Sequence, residues 1–143
     1  MNGFPGILAV TLVVQVVCQL FKLIFYSIRD RKLGWKYLTT AGGMPSAHSA
    51  FVTSLATIIG VRDGVASDIF AVSVVFAAIV LYDAHRLRGH VQKQAIVLNS
   101  LVERAGGSDE SPLSEMVGHS LPEVAVGVAI GGILGAAGAV LLL

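Results

Sequence analysis

Four apolar stretches alternate with short polar clusters along the chain. The first runs from about residue 4 to residue 28 and is long enough to cross a bilayer, which takes about 20 residues in a helix. The second begins at Pro45, because proline is favoured in the first turn of a helix, and continues to about Val61. The third occupies residues 69–81 after Ser67, which can cap a helix, and the fourth occupies residues 121–143. The pattern predicts an all-α integral membrane protein, a bundle of about four transmembrane helices.

The third helix is predicted to continue beyond the membrane as an amphipathic helix. Apolar residues recur at helical spacing from Val91 to Val102, and the helix is expected to reach Arg104. The glycine-rich polar residues 106–112 then end the helix and form a loop.

Composition agrees with a membrane protein of one domain. The chain has 143 residues, of which 55% are hydrophobic and only 13% charged, whereas soluble domains carry about a quarter charged residues. This length predicts a single domain over residues 1–143. The net charge of +1 gives no indication of a nucleic-acid partner, and the lone Cys18 excludes an internal disulfide and a cysteine-based metal site.

The distribution of lysine and arginine predicts the orientation in the membrane. These residues concentrate at 29–36 and 86–104, whereas the turn between the second and third helices has only Arg62. Basic loops stay in the cytoplasm, so both basic regions are predicted to face it and both termini to face the other side. Four polar clusters then converge at the cytoplasmic helix ends, at residues 22–29, 42–48, 82–94 and 118–123. Ionisable residues that converge there indicate a functional site.

The segment 42–48 has the composition of an anion-binding site. Its two glycines allow the backbone to approach a ligand, and the helix that follows offers free N–H groups and a favourable dipole. Ser46 adds a hydroxyl donor, and His48 could protonate a leaving group. The alternative is a glycine turn before a membrane helix, with a histidine that merely lies at the interface.

His119 and Glu123 form the second candidate pair. A histidine that attacks phosphorus needs a neutral ring and a carboxylate to orient it, and a spacing of four can place the two side chains one helical turn apart. The alternative for Glu123 is structural, because Ser120 and Glu123 also match the capping box of a helix. Glu123 could serve both purposes.

The charged residues of the other clusters have structural as well as functional explanations. Lys22 lies near the end of the first helix, where a lysine often extends to the lipid headgroups, and Arg29 fits an ordinary cytoplasmic charge. Asp83 could pair with a nearby base or orient a histidine, whereas a solvated helix face explains most of the bases that follow. His85 and His90 lie five residues apart, a poor spacing for metal ligands on a helix.

Glycines recur at intervals of four in the last helix, at Gly127, Gly131 and Gly135. Small residues at this spacing allow close contact between membrane helices. The pattern leaves two interpretations open, packing within one protomer or the seam of a homo-oligomer.

These residues together resemble the type-2 phosphatidic acid phosphatase and vanadium haloperoxidase superfamily. Residues 45–48, Pro-Ser-Ala-His, resemble its Pro-Ser-Gly-His motif. Lys22 and Arg29 fit its Lys-x6-Arg-Pro motif, except that an aspartate replaces the proline, and His119 with Glu123 resembles its His-x3-Asp ending. More closely, the chain resembles the small membrane branch described as acid phosphatase/vanadium-dependent haloperoxidase-related, through residues 42–50, 82–84, 93–99 and 118–124.

The resemblance implies a helical membrane phosphatase that forms a phosphohistidine intermediate and needs no metal or cofactor. His119 would be the nucleophile, Glu123 its orienting carboxylate and His48 the general acid. Asp83 is a fourth catalytic candidate because an aspartate at this position could orient a histidine. The superfamily has a further arginine six residues before this histidine, for which Arg88 is the candidate substitute here. The residues expected to bind the substrate are Lys22, Arg29, Gly43, Ser46, Arg88 and Lys93.

The expected function is hydrolysis of a lipid phosphate monoester at the cytoplasmic side of a bacterial inner membrane or a plastid membrane. Phosphatidylglycerol phosphate and isoprenoid phosphates are the candidate substrates, and the expected partners are this lipid and the surrounding membrane lipids. Two alternatives remain, a non-catalytic membrane protein that binds phospholipid headgroups and a small transporter or helix-packing subunit.

Overall fold

A computed structural model describes residues 6–38, 42–107, 112–115 and 117–142. In these ranges the regular structure is entirely helical, as predicted. The α-helices are α1 (Gly6–Arg29), α2 (Ala47–Asp63), α3 (Asp68–Tyr82), α4 (Arg88–Arg104) and α5 (Leu121–Leu142), with a short 3-10 helix at Trp35–Leu38 and a π-helical turn at Asp83–Leu87. The predicted ends at Phe4 and Leu143 lie outside the described residues, as do residues 108–111 of the predicted polar loop.

Three helical stretches of the described chain are long and apolar enough to cross a membrane. They are Gly6–Arg29, Asp68–Arg104 and Leu121–Leu142. At 17 residues, α2 is shorter than the roughly 20 that a bilayer takes. The all-helical membrane class is therefore confirmed, whereas the number of four spans stays a prediction.

Helix α2 lies at the centre of the bundle, in contact with α1, α3 and α5. Ala47, Ala50 and Ile58 on this helix are completely buried. The surrounding helices expose large apolar side chains outwards, for example Ile28 at 73% and Val72 at 68%. A continuous apolar exterior is unfavourable in water and is expected of helices that face lipid.

The glycine face of α5 packs against α2 of the same chain. A Cβ atom added at Gly127 would lie 2.5 Å from the Ser46 carbonyl oxygen, and one at Gly131 would lie 2.4 Å from that of Ala50. A Cβ atom at Gly135 would lie 2.9 Å from the Ser54 backbone. The two backbones can approach this closely only because α5 has no side chains here. These glycines therefore contact α2 of the same chain, as the interpretation of packing within one protomer predicted, whereas a homo-oligomer stays a prediction.

Serine residues open α2 and α3. Ser67 accepts a hydrogen bond from the Phe70 N–H at 3.3 Å, which confirms the predicted cap of α3. At α2, however, the cap is Ser46, which accepts from the Ser49 N–H at 3.4 Å. The prediction that Pro45 opens α2 is therefore wrong by two residues, because the serine oxygen can satisfy a free N–H of the first turn and proline cannot.

A π-helical turn joins α3 to α4 without a break in the helical path. The Arg88 N–H donates to the Asp83 carbonyl five residues back, which defines the wider turn. Such a turn disturbs the ordinary pattern of backbone hydrogen bonds, and here the Ala84 carbonyl accepts a bond from the His119 N–H at 3.1 Å. The turn thereby connects the end of α3 to the segment that precedes α5.

Candidate functional site

The four predicted polar clusters meet at one end of the bundle. Before α5, the His119 N–H donates to the Ala84 carbonyl at 3.1 Å, and within α5 the Glu123 carbonyl accepts from the Ser46 N–H at 3.1 Å. Lys22 of α1 is close enough to act electrostatically on both His119 and Glu123. The four clusters therefore do meet in space, as predicted. The side of the membrane on which they lie stays a prediction.

A cavity of about 700 Å³ opens at this end of the bundle. Its wall contains five residues that the sequence assigned to the site: Arg29, Gly43, Lys93, His119 and Glu123. It also contains residues that the sequence did not assign, namely Tyr26, His85, Arg86, Gly89, His90, Gln92, Ile96, Gly118 and Ser120. A cavity of this size is typical of a small-molecule site.

His119 is the buried reactive group in this wall, with only 4% of its surface exposed. Its Nδ1 lies 3.3 Å from Glu123 Oε2, so the predicted pair does meet, although His119 precedes α5 and the two residues are not one helical turn apart. The same oxygen accepts from the Ser120 N–H at 3.0 Å, so Glu123 serves the helix cap and the histidine together. The buried Nε2 of His119 has no hydrogen-bond partner among the described residues. With Nδ1–H donating to the carboxylate, Nε2 keeps its lone pair.

Burial lowers the pKa of His119 below its ordinary value of 6.5. The positive charges of Lys22 and His48 lower this pKa further, whereas the Glu123 carboxylate raises it. Since the net direction is downward, the imidazole is neutral at pH 7. A neutral ring with one free nitrogen is the form that can act as a nucleophile.

The glycine turn at residues 42–48 packs against α1. Gly43 has φ of +88°, and a Cβ atom there would lie 2.7 Å from the Tyr26 hydroxyl oxygen. The same hydroxyl accepts a hydrogen bond from the Met44 N–H at 3.1 Å. Glycine is therefore needed for both conformation and space. Tyr26 was missed, although it lies four residues after Lys22 on the same face of α1.

Ser46 and His48 lie close to the cavity but are not among its lining residues. Ser46 is completely buried, and its hydroxyl oxygen accepts from the Ser49 hydroxyl at 2.8 Å. His48 is partly buried and interacts electrostatically with Arg88, Lys22 and Asp83. In this conformation Ser46 therefore caps α2, and its predicted contact with substrate stays a prediction.

Lys22 is buried beneath the glycine turn. Only 1% of its surface is exposed, and its Nζ donates to the Gly42 carbonyl at 3.1 Å. It therefore does not extend to the lipid headgroups, which was the structural alternative. Its charge contributes positive potential next to His119 and Glu123.

The cationic side chains near the cavity fall into two groups. Arg88 donates to Asp83 at 2.8 Å, which confirms that Asp83 pairs with a nearby base, and neither residue lines the cavity. Arg86 and Lys93 do line it, and within the described residues neither forms an ion pair with a carboxylate. Arg86 and Lys93 lie seven residues apart, about two turns along one helical face, so the sequence itself indicates that they lie on the same side.

His85 contacts the segment that carries His119. Its Nδ1 lies 3.1 Å from the His119 carbonyl oxygen, and its ring forms part of the cavity wall. In the sequence, the spacing of His85 and His90 bore only on a metal site, for which it is poor. Within the described residues, no three His, Cys, Asp or Glu side chains are grouped so that they could hold a metal ion.

Comparison with known proteins agrees with the resemblance that these motifs suggested. A family model described as the divergent PAP2 family matches residues 5–134. The relative named uncharacterized membrane protein YuiD, from Bacillus subtilis (strain 168), is 36% identical over 141 residues, which covers 89% of this chain and 88% of the relative. No solved structure matches the chain significantly. Since the matched residues 5–134 make up most of the chain and include every residue that lines the cavity, the chain belongs to the divergent PAP2 family.

Proposed function

We propose that the chain is an integral membrane phosphatase that hydrolyses a lipid phosphate monoester through a phosphohistidine at His119. The observation that carries this proposal is the state of the His119 ring. Its Nδ1 contacts Glu123, while its buried Nε2 has no partner among the described residues and the residue lines a cavity with cationic walls. A neutral nucleophile and stabilised phosphoryl charge are what this reaction requires.

In the first step, the lone pair of His119 Nε2 attacks phosphorus and forms a P–N bond. The P–O bond to the lipid breaks, and the departing alkoxide takes a proton from the imidazolium form of His48, which becomes neutral. The phosphorylated ring carries a positive charge, which the Glu123 carboxylate stabilises. Burial of the free ring supports this step because the neutral nucleophile is favoured at pH 7.

In the second step, water attacks the phosphohistidine. One proton of the water passes to His48, which lost its proton in the first step, and the P–N electrons return to Nε2. Inorganic phosphate leaves, so the net reaction consumes one water and yields a lipid alcohol and phosphate.

The cationic wall supports binding of the phosphate. Arg29, Arg86 and Lys93 line the cavity, and Lys22 adds positive potential from below. Arg29 contacts Asp30 at 2.9 Å and lies over the Tyr26 ring at 4.5 Å. Arg86 and Lys93 are therefore the lining cations that have no carboxylate partner among the described residues. Lys93 was predicted to bind substrate, and Arg86 is added to that set.

The surroundings of the cavity support a lipid rather than a soluble substrate. The last turns of α1 place Tyr26 and Arg29 in the wall, while Phe25 and Ile28 beside them are 48% and 73% exposed. A lipid could therefore keep its tails against an apolar surface while its phosphate enters the cavity. Phosphatidylglycerol phosphate is the first candidate substrate and an isoprenoid phosphate the second, on the cytoplasmic side of a bacterial inner membrane or a plastid membrane.

Purified protein should be assayed for phosphate release on phosphatidylglycerol phosphate, phosphatidic acid and an isoprenoid phosphate. Wild-type protein should turn over at least one of them and acquire an acid-labile phosphoryl label. His119→Ala should lose both, because His119 is the buried histidine of the cavity wall that Glu123 contacts and whose Nε2 has no partner among the described residues. Arg62→Ala is the matched control, since Arg62 pairs with Asp63 at the opposite end of α2. Turnover by a folded His119→Ala protein would rule out the mechanism.

The second candidate function is binding of phospholipid headgroups without catalysis. It is favoured by Arg86 and Lys93, which can hold an anion whether or not chemistry follows. This candidate predicts that wild-type and His119→Ala proteins bind lipid phosphate equally well and that neither releases phosphate.

A further inference from the structure

Residues of the π-helical turn bond both the N–H and the carbonyl group of His119. The His119 N–H donates to the Ala84 carbonyl at 3.1 Å, and the His119 carbonyl lies 3.1 Å from Nδ1 of His85. Because a carbonyl oxygen can only accept, the proton of this second bond is on His85 Nδ1. Two adjacent residues of one turn therefore bind the two polar backbone groups of His119.

The segment before His119 also packs directly on α4. A Cβ atom added at Gly118 would lie 2.8 Å from Gly89 Cα and 2.9 Å from the Arg88 carbonyl oxygen. Two glycines thus allow the backbones to touch, and the π-helical turn lies next to this contact. The position of His119 relative to the cavity depends on this packing.

Glu123 alone is a weak restraint on the His119 ring. The separation of 3.3 Å between Nδ1 and Oε2 is longer than the roughly 2.7–2.9 Å of a strong charge-assisted hydrogen bond. The Ser120 N–H competes for the same oxygen at 3.0 Å. The backbone contacts with Ala84 and His85 therefore fix the main chain from which the ring extends, which the contact with Glu123 alone does not.

We propose that His85 is a positioning residue for the nucleophile. Its Nδ1–H holds the His119 carbonyl, so that Nε2 of His119 faces the cavity in one orientation. The proposal rests on the proposed function for its catalytic consequence, but the geometric role is independent of turnover. Loss of the bond should slow formation of the phosphohistidine more than it weakens substrate binding, because misplacement by about 1 Å can cost about 100-fold in rate.

The kinetic test compares two substitutions of His85. His85→Leu removes the donor, whereas His85→Asn keeps an amide N–H close to the position of Nδ1. His85→Leu should lower kcat by about 10-fold to 100-fold with little change in KM, and His85→Asn should recover most of the loss. Equal impairment of both variants would show that the imidazole itself is required, and wild-type rates in both would show that the bond does not matter. Either outcome overturns the proposal.

A second measurement decides the geometric role even if no lipid phosphate is turned over. Nitrogen NMR of labelled histidines should show His119 of the wild-type protein as a single species protonated at Nδ1. In His85→Leu this signal should broaden or shift, and in His85→Asn it should remain. His90→Leu is the matched control, because His90 lines the same cavity without a described hydrogen bond to His119. An unchanged His119 signal in His85→Leu would refute positioning, whereas absent phosphate release with the expected NMR change would refute only the phosphatase.

Discussion

His119 is subject to opposing influences that together leave it neutral and oriented. Burial and the charge of Lys22 lower its pKa, whereas the Glu123 carboxylate raises it. Glu123 also gives the ring a direction, because it contacts Nδ1 and leaves Nε2 without a partner among the described residues. At the scale of residues, Lys22 and Glu123 therefore act in opposite directions on the pKa of His119. Replacing each of them should shift the pH dependence of activity in opposite directions.

Replacement of Glu123 by glutamine should shift the pH dependence of activity downward. The change removes the charge that raises the pKa of His119, so the ring stays neutral to lower pH. We expect the acidic limb of kcat/KM to move to lower pH than in the wild type, while the rate falls because the phosphorylated ring loses its counter-charge. Profiles of both proteins with the same lipid phosphate would check this, and a shift to higher pH would contradict it.

Replacement of Lys22 by methionine should have the opposite effect on the pH profile. Methionine keeps much of the length of the buried side chain but removes the charge that lowers the pKa of His119. The pKa of His119 should rise, so the ring becomes protonated at a higher pH. The acidic limb of kcat/KM should therefore move to higher pH. An unchanged limb in a folded protein would show that the two groups are not coupled.

At the scale of elements, the contact between α2 and α5 determines where the catalytic candidates meet. Gly127 touches the Ser46 backbone, and the Glu123 carbonyl accepts from the Ser46 N–H at 3.1 Å. The start of α5 is thereby fixed against the cap of α2. The π-helical turn performs the same function from the other side, through its bonds to His119.

The importance of this helix contact can be tested with two adjacent glycines. Gly131→Ala places a Cβ atom 2.4 Å from the Ala50 carbonyl oxygen, whereas Gly132→Ala meets nothing within 4 Å. We expect Gly131→Ala to lower the free energy of unfolding by about 1–3 kcal/mol through overpacking. Gly132→Ala should leave the stability unchanged or slightly raised. Thermal unfolding in one detergent measures both, and equal stability of the two variants would contradict the packing.

At the scale of the whole molecule, the candidate site opens at the end of an apolar bundle. The cavity wall carries charged side chains, and the outer faces of α1 and α3 are apolar. This arrangement favours a substrate with a charged head and apolar tails, which can approach along the membrane.

Chain length of the substrate should therefore affect catalysis. We expect a higher kcat/KM for a long-chain lipid phosphate than for its short-chain, soluble analogue in the same detergent, because only the long chain gains from the apolar surface. Phosphate release measured with both compounds checks this. Equal or higher values for the soluble compound would argue against a lateral route of entry.

The orientation of the bundle can be tested by labelling of introduced cysteines. Val65 in the turn between α2 and α3 is 74% exposed, and Leu113 in the segment between α4 and α5 is 52% exposed. In a Cys18→Ala background, an impermeant reagent outside intact cells should label Val65→Cys and not Leu113→Cys. This follows from the basic residues at the site end of the bundle. The reverse pattern would place the site on the outer side.

The sequence alone determined the helices and several of their ends. Apolar runs of about 20 residues predict membrane helices because backbone groups in lipid must bond within the segment. Ser67 and the pair of Ser120 and Glu123 could be recognised because a helix cap involves only neighbouring residues. The spacing of four only allowed the contact of His119 with Glu123, because His119 lies before the start of α5 and the contact depends on the conformation of that irregular segment.

Tertiary structure decided which of the polar residues meet in the cavity. The bond between His85 and His119 joins residues 34 positions apart, and the contact of Lys22 with Gly42 joins residues 20 apart. Such contacts depend on how each helix is rotated and how closely α2 approaches α5, and no local pattern records either quantity. Composition marked Arg88 and Lys93 alike as cations, but the π-helical turn and the path of α4 leave Arg88 bonded to Asp83 and place Lys93 in the cavity wall.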